Sequence, residues 1–296
     1  MVSAAGSCRR SATKADTLRL DARPQQLPRW NWHRHETDDG KVLWFALFLP
    51  DSLGPATRLV VVLHGMLRNA DEYIDDWVDW ASTHDRVVVS PRFDALNWPG
   101  SLGYNLGNVF RKEGSNGRLN PDAEWSFTAV EGLARSIAGT LGLADGAFDL
   151  WGHSAVAQFV HRFGLFRPDA PVRRLIAAGA GWYTTPDPGT DFPYGTRHRK
   201  LTISTHDLRR WTARSLILMR GARDTQRDEC LRAAPLAEAQ GRTRWERAAF
   251  MLSAARAFDP DTRWRLVDVP EAGHDHATMA AAAQELLADG DSATKP

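Results

Sequence analysis

Short apolar runs, long enough for strands and too short for most helices, recur along the chain. They are Val42–Leu49, Leu59–Leu63, Val87–Ser90, Phe148–Trp151, Leu175–Ala178, Leu216–Arg220 and Trp264–Val269. Most are near-continuous in Val, Leu and Ile, the pattern of strands covered on both faces. Between them the apolar spacing changes to three and four. Phe127, Val130, Ala134, Ile137 and Leu141 follow it, behind an expected cap at Asn120 and a first turn at Pro121. Trp245, Ala248, Leu252, Ala255 and Phe258 follow it again, as do Met279, Ala282 and Leu286. This alternation predicts an α/β fold, a doubly wound and mostly parallel sheet with helices on both faces. Ligands of such sheets bind beyond the carboxyl ends of the strands, so the loops that follow strands are where chemistry is expected.

No repeat or low-complexity linker divides the chain. Residues 1–25 are polar and rich in Ala, Ser and Arg, and read as a loose tail. Residues 26–290 read as one domain. Within it, residues 181–214 carry Pro186, Pro188 and Pro193 and little periodicity, and read as an excursion from the sheet that would cover the site. Of the 296 residues, 43% are hydrophobic and 25% charged, the balance of a globular protein with a core. A net charge of +1 gives no sign of nucleic acid or an acidic membrane surface as partner. The apolar runs are too short to span a bilayer. Arg9-Arg10 is followed by no apolar segment, so the expectation is a cytoplasmic protein, or an exported one whose leader is not in this sequence. The two cysteines, Cys8 and Cys230, form no spacing pattern, and no disulfide framework is expected. Many of the twelve tryptophans must be core, and a surplus beyond the core's needs would suit an apolar cleft. Oligomeric state is not legible.

The stretch Phe148 to Phe159 is the most informative. A strand pattern ends at Trp151, a helix pattern starts at Ala155, and Gly152-His153-Ser154 lies between them. A tight strand-to-helix turn lifts a serine hydroxyl off the sheet edge, and the helix start behind it offers free N–H groups to a developing oxyanion. Val156 stands where the usual Gly-x-Ser-x-Gly has its second glycine. The alternative for Ser154 is an ordinary helix cap.

Three other strand ends carry matching residues. Leu59–Leu63 runs into His64-Gly65-Met66, where a second oxyanion donor would sit, making the backbone N–H groups of Met66 and Ala155 the expected pair. The alternative there is a plain strand-ending turn. Leu216–Arg220 leads to Gly221-Ala222-Arg223-Asp224, a carboxylate placed to orient an imidazole; Asp228, Asp259 and Asp261 are its rivals. The last strand leads to Gly273-His274, the expected base, with His276 expected as a surface histidine at a helix start. Ser154, Asp224, His274 is the α/β-hydrolase order of a triad rather than the chymotrypsin or subtilisin order.

On these residues the chain resembles the α/β-hydrolases, and within them the polyhydroxybutyrate-depolymerase and feruloyl-esterase-like branch. The resemblance runs from about Leu43 to Leu287 and implies a serine hydrolase that cleaves carboxylic esters, small or polymeric, through an acyl-enzyme. It implies Ser154 as nucleophile, His274 as base and Asp224 as acid. Trp98, Tyr104, Trp182 and Tyr183 lie in loops that would flank the site and are the candidate substrate-binding residues. An amidase or peptidase with the same triad is the first alternative, and a noncatalytic binding protein on this scaffold the second. No cofactor is expected. His274-x-His276 is too isolated for a metal site, and no glycine-rich phosphate loop is present.

Overall fold

A computed structural model of the chain describes residues 29–112 and 117–292, with side chains in the last helix to residue 288. The tail expected over residues 1–25 lies outside the described residues. In chain order the elements are β1 (Asn31–Glu36), β2 (Val42–Phe48), β3 (Arg58–Leu63), α1 (Ala70–Thr83), β4 (Arg86–Arg92), the single turn α2 (Gly100–Gly103), α3 (Ser126–Leu141), β5 (Phe148–His153), α4 (Ala157–Phe166), β6 (Val172–Ala178), α5 (Thr205–Thr212), β7 (Leu216–Gly221), the short α6 (Pro235–Glu238), α7 (Arg244–Phe258), β8 (Arg265–Val269) and α8 (His276–Ser292). The strands form one eight-stranded sheet in the order β1-β2-β4-β3-β5-β6-β7-β8. β1 and β2 are antiparallel additions at one edge, and every other pairing is parallel.

The continuous apolar runs have the expected consequence. Successive residues of one strand enter two different cores. Leu59, Val61 and Leu63 of β3 pack with α3, α4 and α7 on one face. Val60 and Val62 pack with Trp77 of α1 and Met279 of α8 on the other. At about 25 cal/mol per Å² of apolar surface, burial on both faces is what holds the central strands.

Several local expectations are corrected. Asn120 does not cap α3: Pro121 opens a short 3₁₀ turn over Asp122–Glu124, the helix starts at Ser126, and the Asn120 amide bonds the Asn108 carbonyl at 2.8 Å. The buried stripe of α8 is Met279, Ala280, Ala283 and Leu287, with Ala282 and Leu286 at its margin. A run of alanines carries too little contrast to fix which side faces inward. Strand β1 and helix α1 have no counterpart among the expected elements. β1 is a polar edge strand, and α1 mixes acidic residues with Tyr73, Ile74 and Trp77. Residues 181–214 include α5, opened by a capping box between Ser204 and Asp207. No disulfide framework was expected, and Cys230 is disulfide-bonded. Among the described residues no helix is long and apolar enough to cross a membrane.

Candidate active site

The site is assembled at the carboxyl ends of β3, β5, β7 and β8. Ser154 follows β5 directly, in the left-handed region at φ 62°. A non-glycine residue there stores roughly 1–3 kcal/mol of strain, tolerated only where the surroundings enforce it. Three enforcing contacts are visible. β5 is buried along its whole length. Behind the serine the chain makes a 3₁₀ turn over Ser154–Val156 before α4 begins at Ala157, two residues later than expected. And Gly152 lies so near this turn that a Cβ on it would meet the Val156 side chain at 2.9 Å and that of Val160 at 3.0 Å. The Ser154 side chain makes no capping hydrogen bond, so the helix-cap alternative is not realised.

The hydroxyl of Ser154 is instead 2.9 Å from Nε2 of His274. Nδ1 of the same ring is 2.8 Å from Oδ2 of Asp224. Asp224 is buried, with a side chain 5% exposed, while the imidazole keeps 25% of its surface. The loops that carry Asp224 and His274 are built against each other: Ala222 N–H donates to the Val269 carbonyl and Arg223 N–H to that of Ala272. Gly221 permits this approach, since a Cβ there would lie 2.5 Å from the Ala272 carbonyl oxygen. The rival carboxylates are placed elsewhere. Asp259 and Asp261 precede β8, at the opposite end of the strand, where Asp259 accepts from Thr212. Asp228 is bound by Arg244. His276 opens α8 as expected, but it is not a free surface residue: its Nδ1 pairs with Asp76 and its ring stacks on Tyr73 at 4.4 Å.

No protein-family model and no curated protein sequence matches the chain. Solved structures do. A poly(aspartic acid) hydrolase from Sphingomonas sp. KT-1 is 32% identical, with 88% of this chain and 98% of that one covered and a TM-score of 0.81. A poly(3-hydroxybutyrate) depolymerase from Bordetella parapertussis is 29% identical over 88% of this chain and 90% of that one, also at 0.81. The chain belongs to the α/β-hydrolase family. It is a hydrolase of the branch that holds these depolymerases and related esterases. A fluorophosphonate-binding serine hydrolase of Staphylococcus aureus, 13% identical with 88% and 96% of the two chains covered and a TM-score of 0.54, shares the fold.

In this α/β-hydrolase the loop after β3 is held by hydrogen bonds that the sequence alone did not show. Phe93 N–H donates to His64 Nε2 at 3.0 Å, so the proton of the neutral ring sits on Nδ1, which donates to the Gly65 carbonyl at 2.9 Å. A trans peptide whose carbonyl points at His64 directs its other side, the Met66 N–H, away from that ring. The Met66 N–H has no acceptor among the described residues. Burial pushes the His64 pKa down to about 3, which keeps the ring neutral and its tautomer fixed. The Tyr104 hydroxyl donates to the His64 carbonyl at 3.0 Å, and Arg68 ties the loop to the carbonyls of Phe93 and Trp98.

The four aromatic residues expected to touch substrate are core residues of this α/β-hydrolase. Tyr104 and Tyr183 have no exposed surface, and Trp98 and Trp182 almost none. Phe93 stacks on Tyr104 and meets Trp98 edge-on, while Trp182 packs on Tyr194. The apolar surface left open on the loops after β3 and β4 comes from Met66, Leu67 and Leu96, which are 54%, 77% and 89% exposed. His153 is a further residue without an expected role. It is buried, its ring centroid is 4.7 Å from that of His274, and burial, with positive neighbours, holds it well below the usual histidine range.

Proposed function

We propose that this protein hydrolyses carboxylic esters through an acyl-enzyme on Ser154. His274 is the general base, Asp224 orients it, and the N–H groups of Met66 and Ala155 receive the oxyanion. The observation that carries this reading is the unbroken hydrogen-bond chain from Ser154 through His274 to buried Asp224. Neutral His274 takes the proton from Ser154 Oγ as the oxygen attacks the carbonyl carbon. The carbonyl π electrons move to oxygen, and the resulting anion lies where the Met66 peptide and the start of the turn at Ala155 offer N–H donors. Imidazolium then returns the proton to the departing alkoxide, leaving acyl-Ser154, and water repeats the sequence. Met66, Leu67 and Leu96 supply apolar surface for a short acyl group or a repeat of a polyester.

A second reading is favoured by one observation. The similar structure at 32% identity is a poly(aspartic acid) hydrolase, an enzyme of an amide-linked polymer. The same residues serve either bond, because only the leaving group differs. Chromogenic esters of graded acyl length, assayed beside the matching anilides and beside soluble poly(aspartic acid), separate the two. Turnover of esters with anilides inert supports the ester reading. Turnover of poly(aspartic acid) above the best ester replaces it with the amide reading.

A further inference from the structure

Asp224 uses one carboxylate oxygen on His274 and meets a buried cation with the other. Oδ1 is 3.5 Å from the Arg244 guanidinium, whose side chain is 4% exposed. The same guanidinium forks onto Asp228 at 2.7 and 3.0 Å. Arg244 is the first residue of α7, whose N-cap is Thr243. A cation at the positive end of a helix is unfavourable for the helix, so α7 itself gives no reason for arginine here. Burying it is costly unless carboxylates surround it, as they do. For Asp228, burial pushes the carboxyl up, but the bonds and charge of Arg244 and the proximity of His274 outweigh it and hold Asp228 below its ordinary range.

We propose that Arg244 is the positioning residue of the acid Asp224, and that Arg244 and Asp228 together set how readily His274 holds a proton. This rests on the reading of Ser154, His274 and Asp224 as a working triad. With His274 neutral, Asp224, Asp228 and Arg244 sum to one negative charge; with imidazolium the group is neutral. Without the Arg244 charge, two uncompensated carboxylates favour the proton on His274, and the free base forms at higher pH than in the wild type. Without the Asp228 charge, imidazolium leaves the group positive and forms less readily. Two groups that touch neither Ser154 nor His274 thus act on the base in opposite directions.

The other charged or titratable groups around His274 and Asp224 have partners of their own or are neutral. His153 packs on the ring and is kept neutral by burial. His276 pairs with Asp76, and Asp275 accepts from Thr278. Tyr183, near Asp224, is pushed up by burial, and Arg220 is bound to Asp268.

The test is the pH dependence of fluorophosphonate labelling of the full chain, which reads nucleophile activation without a chosen substrate. The wild type should show one ascending limb, with the adduct on Ser154. In Arg244→Gln the limb should move to higher pH, and in Asp228→Asn to lower pH, each by about half a pH unit or more. Arg244→Lys keeps the charge and loses the fork, so its limb should stay with the wild type while the plateau rate falls. Limbs that coincide in Arg244→Gln, Asp228→Asn and wild type overturn the proposal, whatever happens to the plateau. Asp228 is 44% exposed, so its asparagine variant decides the matter alone if Arg244→Gln does not fold. A wild type that is not labelled at Ser154 overturns the triad itself, a result that no shift between variants can mimic.

Discussion

His274 and Ser154 are 120 positions apart in the chain, and their side chains meet at 2.9 Å. A fluorophosphonate should therefore modify Ser154, and Ser154→Ala should abolish the adduct. His274→Ala should lower kcat by orders of magnitude. His276→Ala, which loses the Asp76 pair and the stack on Tyr73, should cost stability and little rate. Assays and melts of both variants check the ranking; greater loss of rate in His276→Ala would move the base.

Asp224→Asn keeps the shape of the acid but favours the wrong imidazole tautomer, a change that costs about 10⁴ in kcat in another triad. The same order of loss is expected here, with the melting temperature nearly unchanged. Asp259→Asn, which alters a bond to Thr212 at the far end of β8, should leave kcat within a few-fold. Near-full activity in Asp224→Asn would place the acid elsewhere.

Gly152 and Val156 lie close together at the turn that carries Ser154, with no room for a side chain on Gly152, so the two positions should respond in different ways. Val156→Gly removes a buried side chain and adds a glycine, for a loss of about 1 kcal/mol or more of stability, with kcat within roughly tenfold. Gly152→Ala puts a methyl against Val156 and Val160 and should displace the turn, lowering both melting temperature and labelling rate. A many-fold gain in activity from Val156→Gly would mean that the native turn is distorted by the valine.

Three buried histidines should make the fold acid-sensitive well above the carboxylate range. His64 is driven down to about 3 by burial, and burial drives His153 and His161 well below the ordinary value. Unfolded, each would take up a proton near pH 6.5, so below that pH the unfolded state binds more protons and stability falls. Each group contributes a slope approaching roughly 1.4 kcal/mol per pH unit, with full stability above about pH 6.5. Asp76, whose carboxyl burial pushes up, acts in the opposite sense at lower pH. Melts from pH 7.5 to 5.5 should show a decline that begins just below pH 6.5. A flat curve down to pH 5.5 would mean that all three rings gain a proton in the fold.

What the sequence determined by itself was the layered architecture and the order of the site. Runs such as Leu59–Leu63 are apolar at every position, which only a strand covered on both faces can use, and helical spacing between them requires crossovers. Ser154, Asp224 and His274 could be proposed together from the sequence because each lies within five residues of the end of a strand, where the fold must place it near the same sheet edge. Packing decided the rest. Trp98, Tyr104, Trp182 and Tyr183 have the composition of a binding cleft, yet neighbours from distant segments close over them, and a single sequence does not record neighbours. His64 and Arg244 carry no local signal for the same reason. One takes its tautomer from Phe93, 29 positions on, and the other reaches back 20 positions to Asp224 only because α7 begins beside the end of β7. Periodicity states which face of an element is apolar; which polar groups that burial brings within hydrogen-bond reach follows only from the folded chain.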